Sequence, residues 1–189
     1  MPRPNWFFAF PIPGSFVLEL PPVPRFLRRF HPGDVHLTLS FLGGCGEEAA
    51  LRGLAALDAE LARAPLTAIH VSLGEVVPMG GSRKAYTALS ALLDQGHAEA
   101  TACVGALRDV ISNAAIGKRE QRAPKPHVTI ARPRGRATEA DREAGLSWAA
   151  GLDLRATTAT LDRIALYTWS EQRRDQLFRV VAERKLGNG

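Results

Sequence analysis

The sequence predicts an α+β protein of two lobes. Short apolar runs typical of strands and amphipathic runs typical of helices follow one another in mixed order, a pattern of the α+β and α/β classes. The triplet His-x-Thr occurs twice, each time in an apolar run, with about half of the chain between the copies. Of the two classes we expect α+β, with a mainly antiparallel sheet and outer helices in each lobe. The two His-x-Thr strands would then face each other across a central cleft.

Length and composition favour a single domain. A chain of 189 residues with 46% hydrophobic content can bury a substantial core. We therefore expect residues 1–189 to form one two-lobed domain. The 24 basic and 19 acidic residues give a formal charge of +5. This charge favours an acidic partner but does not require nucleic acid.

Four elements are predicted in the N-terminal third. Residues 6–12 are aromatic and end at Pro-Gly, as a buried strand does. Residues 15–30 predict a broken helix, because prolines at 21, 22 and 24 interrupt an apolar pattern. Residues 35–42 alternate as a strand does. Residues 47–64 place their leucines on one helical face and predict a helix.

The rest of the chain predicts five strands and two further helices, together with the strand of the second motif. Residues 67–77 and 84–92 read as strands joined by the turn-rich PMGGS, and residues 98–115 have helical spacing. Pro126 favours an extended residue before it, so the chain enters His127 as a strand. A short helix over 139–150 is followed by candidate strands at 153–158, 163–169 and 177–185.

The cysteines and the N-terminal residues indicate the compartment. Cys45 and Cys103 lack CxxC spacing, so neither a disulfide framework nor a structural zinc site is supported, and a reducing cytoplasm fits best. The apolar run near the N-terminus is broken by Pro11 and Pro13 and is too short for the core of a signal peptide. No stretch reaches the roughly 18 apolar residues of a membrane span. We expect a soluble, unprocessed, cytoplasmic protein without a membrane partner.

The spacing of His-x-Thr suits the recognition of a phosphate. Strand alternation places His36, Thr38 and Ser40 on one face, with Leu39 and Phe41 on the other. In the second copy, His127 and Thr129 project together by the same rule. Residues i and i+2 of a strand stand about 6.5 to 7 Å apart, so an imidazole and a hydroxyl can both contact one phosphate-sized group.

Two such histidines can perform acid–base catalysis at phosphorus. Displacement at phosphorus needs a nucleophile deprotonated on one side and a leaving oxygen protonated on the other. Histidines with an unperturbed pKa of about 6.5 can do both. A single histidine on a strand is more often a core or surface residue, but the repetition of the whole triplet favours function.

Three segments of the sequence resemble one known family. WFFAFPIP, HLTLSFLG and HVTIAR are similar to the opening strand and the two motifs of the two-histidine phosphoesterase superfamily. The particular resemblance is to its RNA 2′,3′-cyclic phosphodiesterases, also called 2′-5′ RNA ligases. It extends over nearly the whole chain, and it includes an arginine five places after the second histidine.

The resemblance implies roles for five residues. His36 would donate a proton to the leaving ribose O3′, and His127 would accept one from water. Thr38 and Thr129 would hold phosphate oxygens, and Arg132 would add positive charge. The implied product is a 2′-phosphomonoester, and the reverse condensation would form a 2′-5′ linkage. The implied partner is RNA with a 2′,3′-cyclic phosphate end, bound by a monomer without a cofactor.

Two positions depart from these expectations. Ideal alternation places Arg132 opposite His127, so its side chain reaches the phosphate only if the strand bends before Pro133. The family presents a tyrosine on its C-terminal strand, where this sequence has Phe178. Phe178 supplies no hydroxyl for a contact at that strand.

The remaining polar residues give weaker predictions. The chain has no HExxH pattern and no carboxylate cluster near either motif, so we expect no catalytic metal. His31, His70 and His97 are expected to be structural or exposed. Phe7, Phe41 and Tyr86 are candidates for base stacking but fit the core better. The basic residues that could line an RNA path, or form only a solvated face, are Arg83, Lys84, Lys118, Arg119, Arg122 and Lys125.

Two other functions stay open. The same chemistry could act on small cyclic nucleotides or on 2′-5′ oligonucleotides. Alternatively, the histidines could only recognise phosphate in a non-catalytic RNA-binding module.

Overall fold

A computed structural model describes residues 3–82 and 85–187. The strands of this part of the chain are β1 (Trp6–Pro11), β2 (Leu27–Arg29), β3 (His36–Gly43), β4 (Ile69–Met79), β5 (Ala88–Leu93), β6 (His127–Pro133), β7 (Thr158–Leu161), β8 (Arg163–Trp169) and β9 (Phe178–Lys185). The α-helices are α1 (Phe16–Glu19), α2 (Glu47–Arg63), α3 (His97–Ile116) and α4 (Glu139–Ala150).

The strands form one curled antiparallel sheet in the order β7-β4-β5-β6-β3-β1-β8-β9, and β2 also pairs with β6. The predicted α+β class and antiparallel pairing are confirmed. Each half of the sheet holds one His-x-Thr strand, and the halves meet where β3 lies beside β6. The register there is a single pair, Leu37 with Val128. The two motifs therefore lie on neighbouring strands at the centre of the sheet.

Two long helices cover one face of the sheet. α2 and α3 pack against each other, and α3 also packs on β3. Gly53 of α2 permits this close approach, because a Cβ there would lie 3.3 Å from Phe8, Ile111 and Ala115. Phe8 and Leu37 are fully buried beneath the helices. With this face filled by apolar side chains, the polar side chains of the motifs belong to the opposite face.

Most predicted elements are present, with two differences of substance. The broken helix expected over 15–30 is a single turn, α1, followed by β2, which pairs with β6. The three prolines lack the N–H that a helix needs, so the chain is extended when it reaches Leu27. The strand expected over 153–158 begins only at Thr158, because a turn closed by the Thr157 N–H and the Leu154 carbonyl comes first.

Two smaller findings concern the boundaries. Lys84, at the predicted start of the strand over 84–92, lies outside the described residues, and β5 begins at Ala88. Within the described part of the chain, no helix is long and apolar enough to cross a membrane.

Candidate active site

Both motif strands contain a β-bulge at the same distance from their histidine. In β3 the pairing with β1 is regular as far as Thr38 and then slips before Ser40. In β6 the pairing with β5 is regular as far as Thr129 and slips before Ala131. Each bulge inserts one extra residue three places after the histidine, which reverses the alternation beyond it.

The bulges decide which side chains reach the histidine face. Thr38 pairs with Ala9, whereas Phe41 pairs with Phe7, and both pairs lie on that face. Phe41 is 60% exposed there. The expectation that Ser40 shares the face of His36 is wrong: the bulge turns Ser40 into the interior, where its hydroxyl is buried.

Arg132 is brought to the active face by the second bulge. Ideal alternation would have placed its side chain on the face opposite His127. The extra residue in β6 supplies the bend required for Arg132 to reach the phosphate, and it moves this side chain to the face of His127. Its guanidinium lies 5.2 Å from the centre of the Phe30 ring. Partial burial lowers the pKa of Arg132, but a guanidinium keeps its charge near neutral pH.

The two histidines have the same hydrogen bond. Nδ1 of His36 lies 2.6 Å from the carbonyl oxygen of Asp34, and Nδ1 of His127 lies 2.6 Å from that of Lys125. A carbonyl can only accept, so in both rings the Nδ1–H donates. In the neutral ring Nε2 then carries the lone pair. Each ring is thus fixed in the tautomer that presents Nε2 for proton transfer.

His36 is surrounded by positive charge and aromatic rings. The pKa of His36 is lowered to about 4, mainly by burial, and the charges of Arg132 and His127 act in the same direction while the hydrogen bond to the Asp34 carbonyl opposes them. The rings of Phe7, Phe178 and Tyr167 lie 4.8, 5.6 and 5.7 Å from the imidazole. This environment disfavours the protonated form of His36 unless an anion is bound nearby.

Sequence reasoning missed three of the residues that support the site. Ser90 of β5 is fully buried, and its hydroxyl lies 3.1 Å from that of Thr129. Tyr167 stacks on Phe7 at 5.0 Å, and burial raises the pKa of its hydroxyl to about 12. Asp34 accepts hydrogen bonds from the N–H groups of Leu177 and Phe178. Only the neighbouring strands bring these residues to the motifs, and the motifs themselves carry no signal for them.

The other histidines and two of the aromatic candidates have local or core contacts. Nδ1 of His31 accepts from the Gly33 N–H, His70 lies 3.1 Å from the Thr160 hydroxyl, and His97 begins α3. Phe7 and Tyr86 belong to the core. Among the described residues, no group of three or more His, Cys, Asp or Glu side chains could hold a metal ion.

The structure describes four of the six basic residues expected along an RNA path. Arg83 and Lys84 lie outside the described residues. The other four lie in the loop between α3 and β6, where Arg122 forms an ion pair with Glu120 at 3.0 Å.

Comparison with known proteins gives the fold. No protein-family model and no curated protein matches the chain. The protein TT0787 of Thermus thermophilus is similar over 97% of this chain and 98% of its own, with 20% identity and a TM-score of 0.68. E. coli LigT complexed with NADP+ is similar over 100% of both chains, with 19% identity and a TM-score of 0.67.

A more distant similarity and further complexes complete the comparison. Usb1 of Kluyveromyces marxianus has 11% identity and a TM-score of 0.55, over 86% of this chain and 92% of its own. Other crystals of E. coli LigT contain ATP, 3′-AMP or phosphate. The fold of this chain is that of the two-histidine phosphoesterases.

Proposed function

We propose that this protein is a metal-independent RNA 2′,3′-cyclic phosphodiesterase of the two-histidine phosphoesterase superfamily. It would open a terminal 2′,3′-cyclic phosphate to a 2′-phosphomonoester. The observation that carries the proposal is the matched pair of histidines, each fixed by an Nδ1–H bond to the carbonyl two residues before it. The match in fold over nearly all of both chains supports one domain over residues 1–189.

The geometry supports an in-line displacement at phosphorus. His127 Nε2 takes a proton from water while the water oxygen bonds to phosphorus. The bond from phosphorus to O3′ breaks, and His36 gives its proton to the leaving oxygen. Thr38, Thr129 and Arg132 hold the non-bridging oxygens, where negative charge is concentrated. When a ribose 5′-hydroxyl takes the place of water, the same displacement forms its bond to phosphorus while the bond to O3′ breaks, and the product is a 2′-5′ linkage.

The low pKa of His36 fits this scheme only with substrate bound. In the free protein a pKa of about 4 leaves His36 neutral near pH 7. The negative charge of a bound phosphate favours the imidazolium and raises that pKa. His36 therefore becomes a proton donor when the phosphate is in place. The division of roles between His36 and His127 follows the family resemblance.

The position of the product phosphate tests the proposal. Adenosine 2′,3′-cyclic phosphate is incubated with the protein in EDTA, and the product is separated against 2′-AMP and 3′-AMP standards. We expect 2′-AMP. A 3′-AMP product, or an activity that EDTA abolishes and added divalent metal restores, would overturn the mechanism.

A second candidate keeps the chemistry and changes the substrate to a small cyclic nucleotide or a 2′-5′ oligonucleotide. It is favoured by the mononucleotides that E. coli LigT holds in its crystals. Relative kcat/KM on a mononucleotide and on an RNA oligomer separates the two. Phosphate binding without turnover would indicate an RNA-binding module instead. The monomeric state and the cytoplasmic location stay predictions.

A further inference from the structure

A basic cavity opens beside His36. It has a volume of about 400 Å³, and Arg132 and Phe178 form part of its wall. The Phe178 ring lies 5.6 Å from His36, and the charge of Arg132 acts on the same imidazole. The cavity therefore borders the proposed phosphate site, and Arg132 belongs to both.

The charge of this cavity is of one sign. The arginines in its lining are Arg28, Arg132, Arg134 and Arg173, and the described part of the chain contributes no acidic residue to it. None of the ion pairs formed within residues 3–82 and 85–187 involves these four arginines. A concave site with several guanidinium groups outside ion pairs attracts phosphate.

The basic lining continues away from the histidines. A second cavity of about 540 Å³ shares Arg28, Phe30 and Arg134 with the first and adds Arg29 and Arg174. Asp175 is the one acidic residue that the described chain contributes there. We call the two cavities together the arginine channel.

Hydrogen bonds to backbone carbonyls hold two of these arginines in place, and these neutral acceptors leave their charge intact. Arg28 donates to the carbonyls of Arg173 and Arg174 at 3.5 and 3.1 Å, and Arg134 donates to the carbonyl of Arg25 at 3.1 Å. Arg28 and Arg132 are also direct partners across β2 and β6. Like charges at directly opposite positions of a sheet are destabilising. An anion between them removes that cost.

An aromatic face stands beside the charges. The Arg173 guanidinium lies 3.9 Å from the centre of the Trp169 ring, which borders the first cavity. An arginine stacked on an indole is held in place while its remaining N–H groups stay available to an anion.

We propose that the arginine channel binds the backbone phosphates of an RNA strand on the 5′ side of its cyclic-phosphate end. This inference rests on the proposed function, and it makes an oligonucleotide the substrate. The 5′-phosphate of the terminal nucleotide lies against Arg28, Arg134 and Arg173. The next phosphate lies in the second cavity. The strand thus leaves the site along β2 and the loop between β8 and β9, and not along the loop before β6.

Three substrates test the channel. These are adenosine 2′,3′-cyclic phosphate, the same compound with a 5′-phosphate, and a pentanucleotide ending in the cyclic phosphate. The wild-type protein should have a higher kcat/KM for the two phosphorylated substrates. Arg134→Ala and Arg173→Ala should each reduce that preference roughly tenfold or more, since each removes a hydrogen bond to a charged oxygen. The pentanucleotide preference should also weaken as salt increases.

Arg155→Ala is the matched control. Arg155 is exposed and lies outside both cavities, so its loss changes the net charge equally without touching the channel. This variant should keep the wild-type preference. Thermal unfolding of all variants separates a loss of folding from a loss of contact.

Each outcome decides between the channel and an alternative. A wild-type protein that does not prefer the 5′-phosphate, or variants that keep the preference, would overturn the channel while leaving hydrolysis of the mononucleotide intact. If the two variants lose kcat/KM equally on substrates with and without the 5′-phosphate, the cavity holds a base and not a phosphate. This result also overturns the channel. If the wild type hydrolyses none of the three, the proposed function fails. The channel is then judged by fluorescence anisotropy with a labelled 2′-phosphate-ended pentanucleotide, whose binding Arg134→Ala and Arg173→Ala must weaken.

Discussion

His36 and His127 share a hydrogen-bonding pattern but differ in their electrostatic surroundings. Both donate from Nδ1 to a carbonyl two residues earlier. His36 in addition lies against three aromatic rings and close to Arg132. A two-histidine mechanism needs one ring charged and one neutral at the same time. Unequal surroundings favour different protonation states in the two rings.

Removal of either histidine should lower the catalytic rate. A comparison of substrates with different leaving groups should show which histidine donates the proton. We expect His36→Ala and His127→Ala each to lower kcat on a cyclic phosphate by a factor on the order of 10² to 10⁴. On bis(p-nitrophenyl) phosphate, whose leaving group needs no proton, His36→Ala should be much less damaging. If His127→Ala is spared instead, the two roles are exchanged. If neither variant is impaired on the cyclic phosphate, the paired mechanism is wrong.

The low pKa of His36 predicts different pH profiles for free and bound enzyme. The donor must be protonated, so kcat/KM should fall as pH rises above the pKa of the free protein, which is about 4 for His36. Bound phosphate raises that pKa, so the falling limb of kcat should lie at higher pH. Initial rates from about pH 4 to 9 give both profiles. The fitted values belong to the pair, because the two rings interact. Falling limbs at the same pH would contradict this account.

At the scale of elements, the strands could be predicted and their bulges could not. Alternation located β3 and β6, and the repeated triplet identified the candidate residues of the site. Nothing in the residue types at Leu39 or Ile130 marks an extra residue, because both are ordinary strand formers. The bulges appear only in the pairing with β1 and β5. For this reason the faces of Phe41 and Arg132 could not be derived from the sequence.

Contacts between elements far apart in the sequence could not be predicted either. Pro21, Pro22 and Pro24 predicted an interruption, but not that the residues after them pair with β6. Ser90 and Tyr167 carry no local motif and enter the site through strand order alone. Asp34 was overlooked because a single acidic residue before a strand reads as a solvated turn. Burial and long-range hydrogen bonds are properties of the assembled sheet.

Asp34 connects the start of β3 to the start of β9. Its carboxylate is 1% exposed and accepts from the N–H groups of Leu177 and Phe178 at 2.8 to 3.0 Å. Asp34→Ala leaves two N–H groups without that acceptor, so we expect a loss of about 2 to 4 kcal/mol in the free energy of unfolding. Urea unfolding at pH 7 measures it. Asp34→Asn keeps one acceptor oxygen and should lose less, and equal losses in the two variants would mean that the hydrogen bonds contribute nothing.

At the scale of the whole molecule, two halves of a sheet meet at a narrow seam. One pair, Leu37 with Val128, joins β3 to β6, and both side chains are fully buried. Other contacts cross the seam: β2 pairs with β6, and α3 packs on both β3 and β4. The His-x-Thr strands come from different halves, so the site exists only when both are folded. These crossing contacts favour one cooperative unfolding transition.

Tryptophan fluorescence can test whether the halves unfold together. Trp6 and Trp169 lie on β1 and β8 in one half, and Trp148 lies on α4, which packs on β4 in the other. Trp148→Phe therefore reports on the first half, and the double variant Trp6→Phe with Trp169→Phe reports on the second. In urea the two should have coincident midpoints. Leu37→Ala should lower both together, by about 2 to 5 kcal/mol, since it opens a cavity at the seam. If Leu37→Ala instead separates the midpoints, the halves fold independently, and the active site depends on docking rather than on folding.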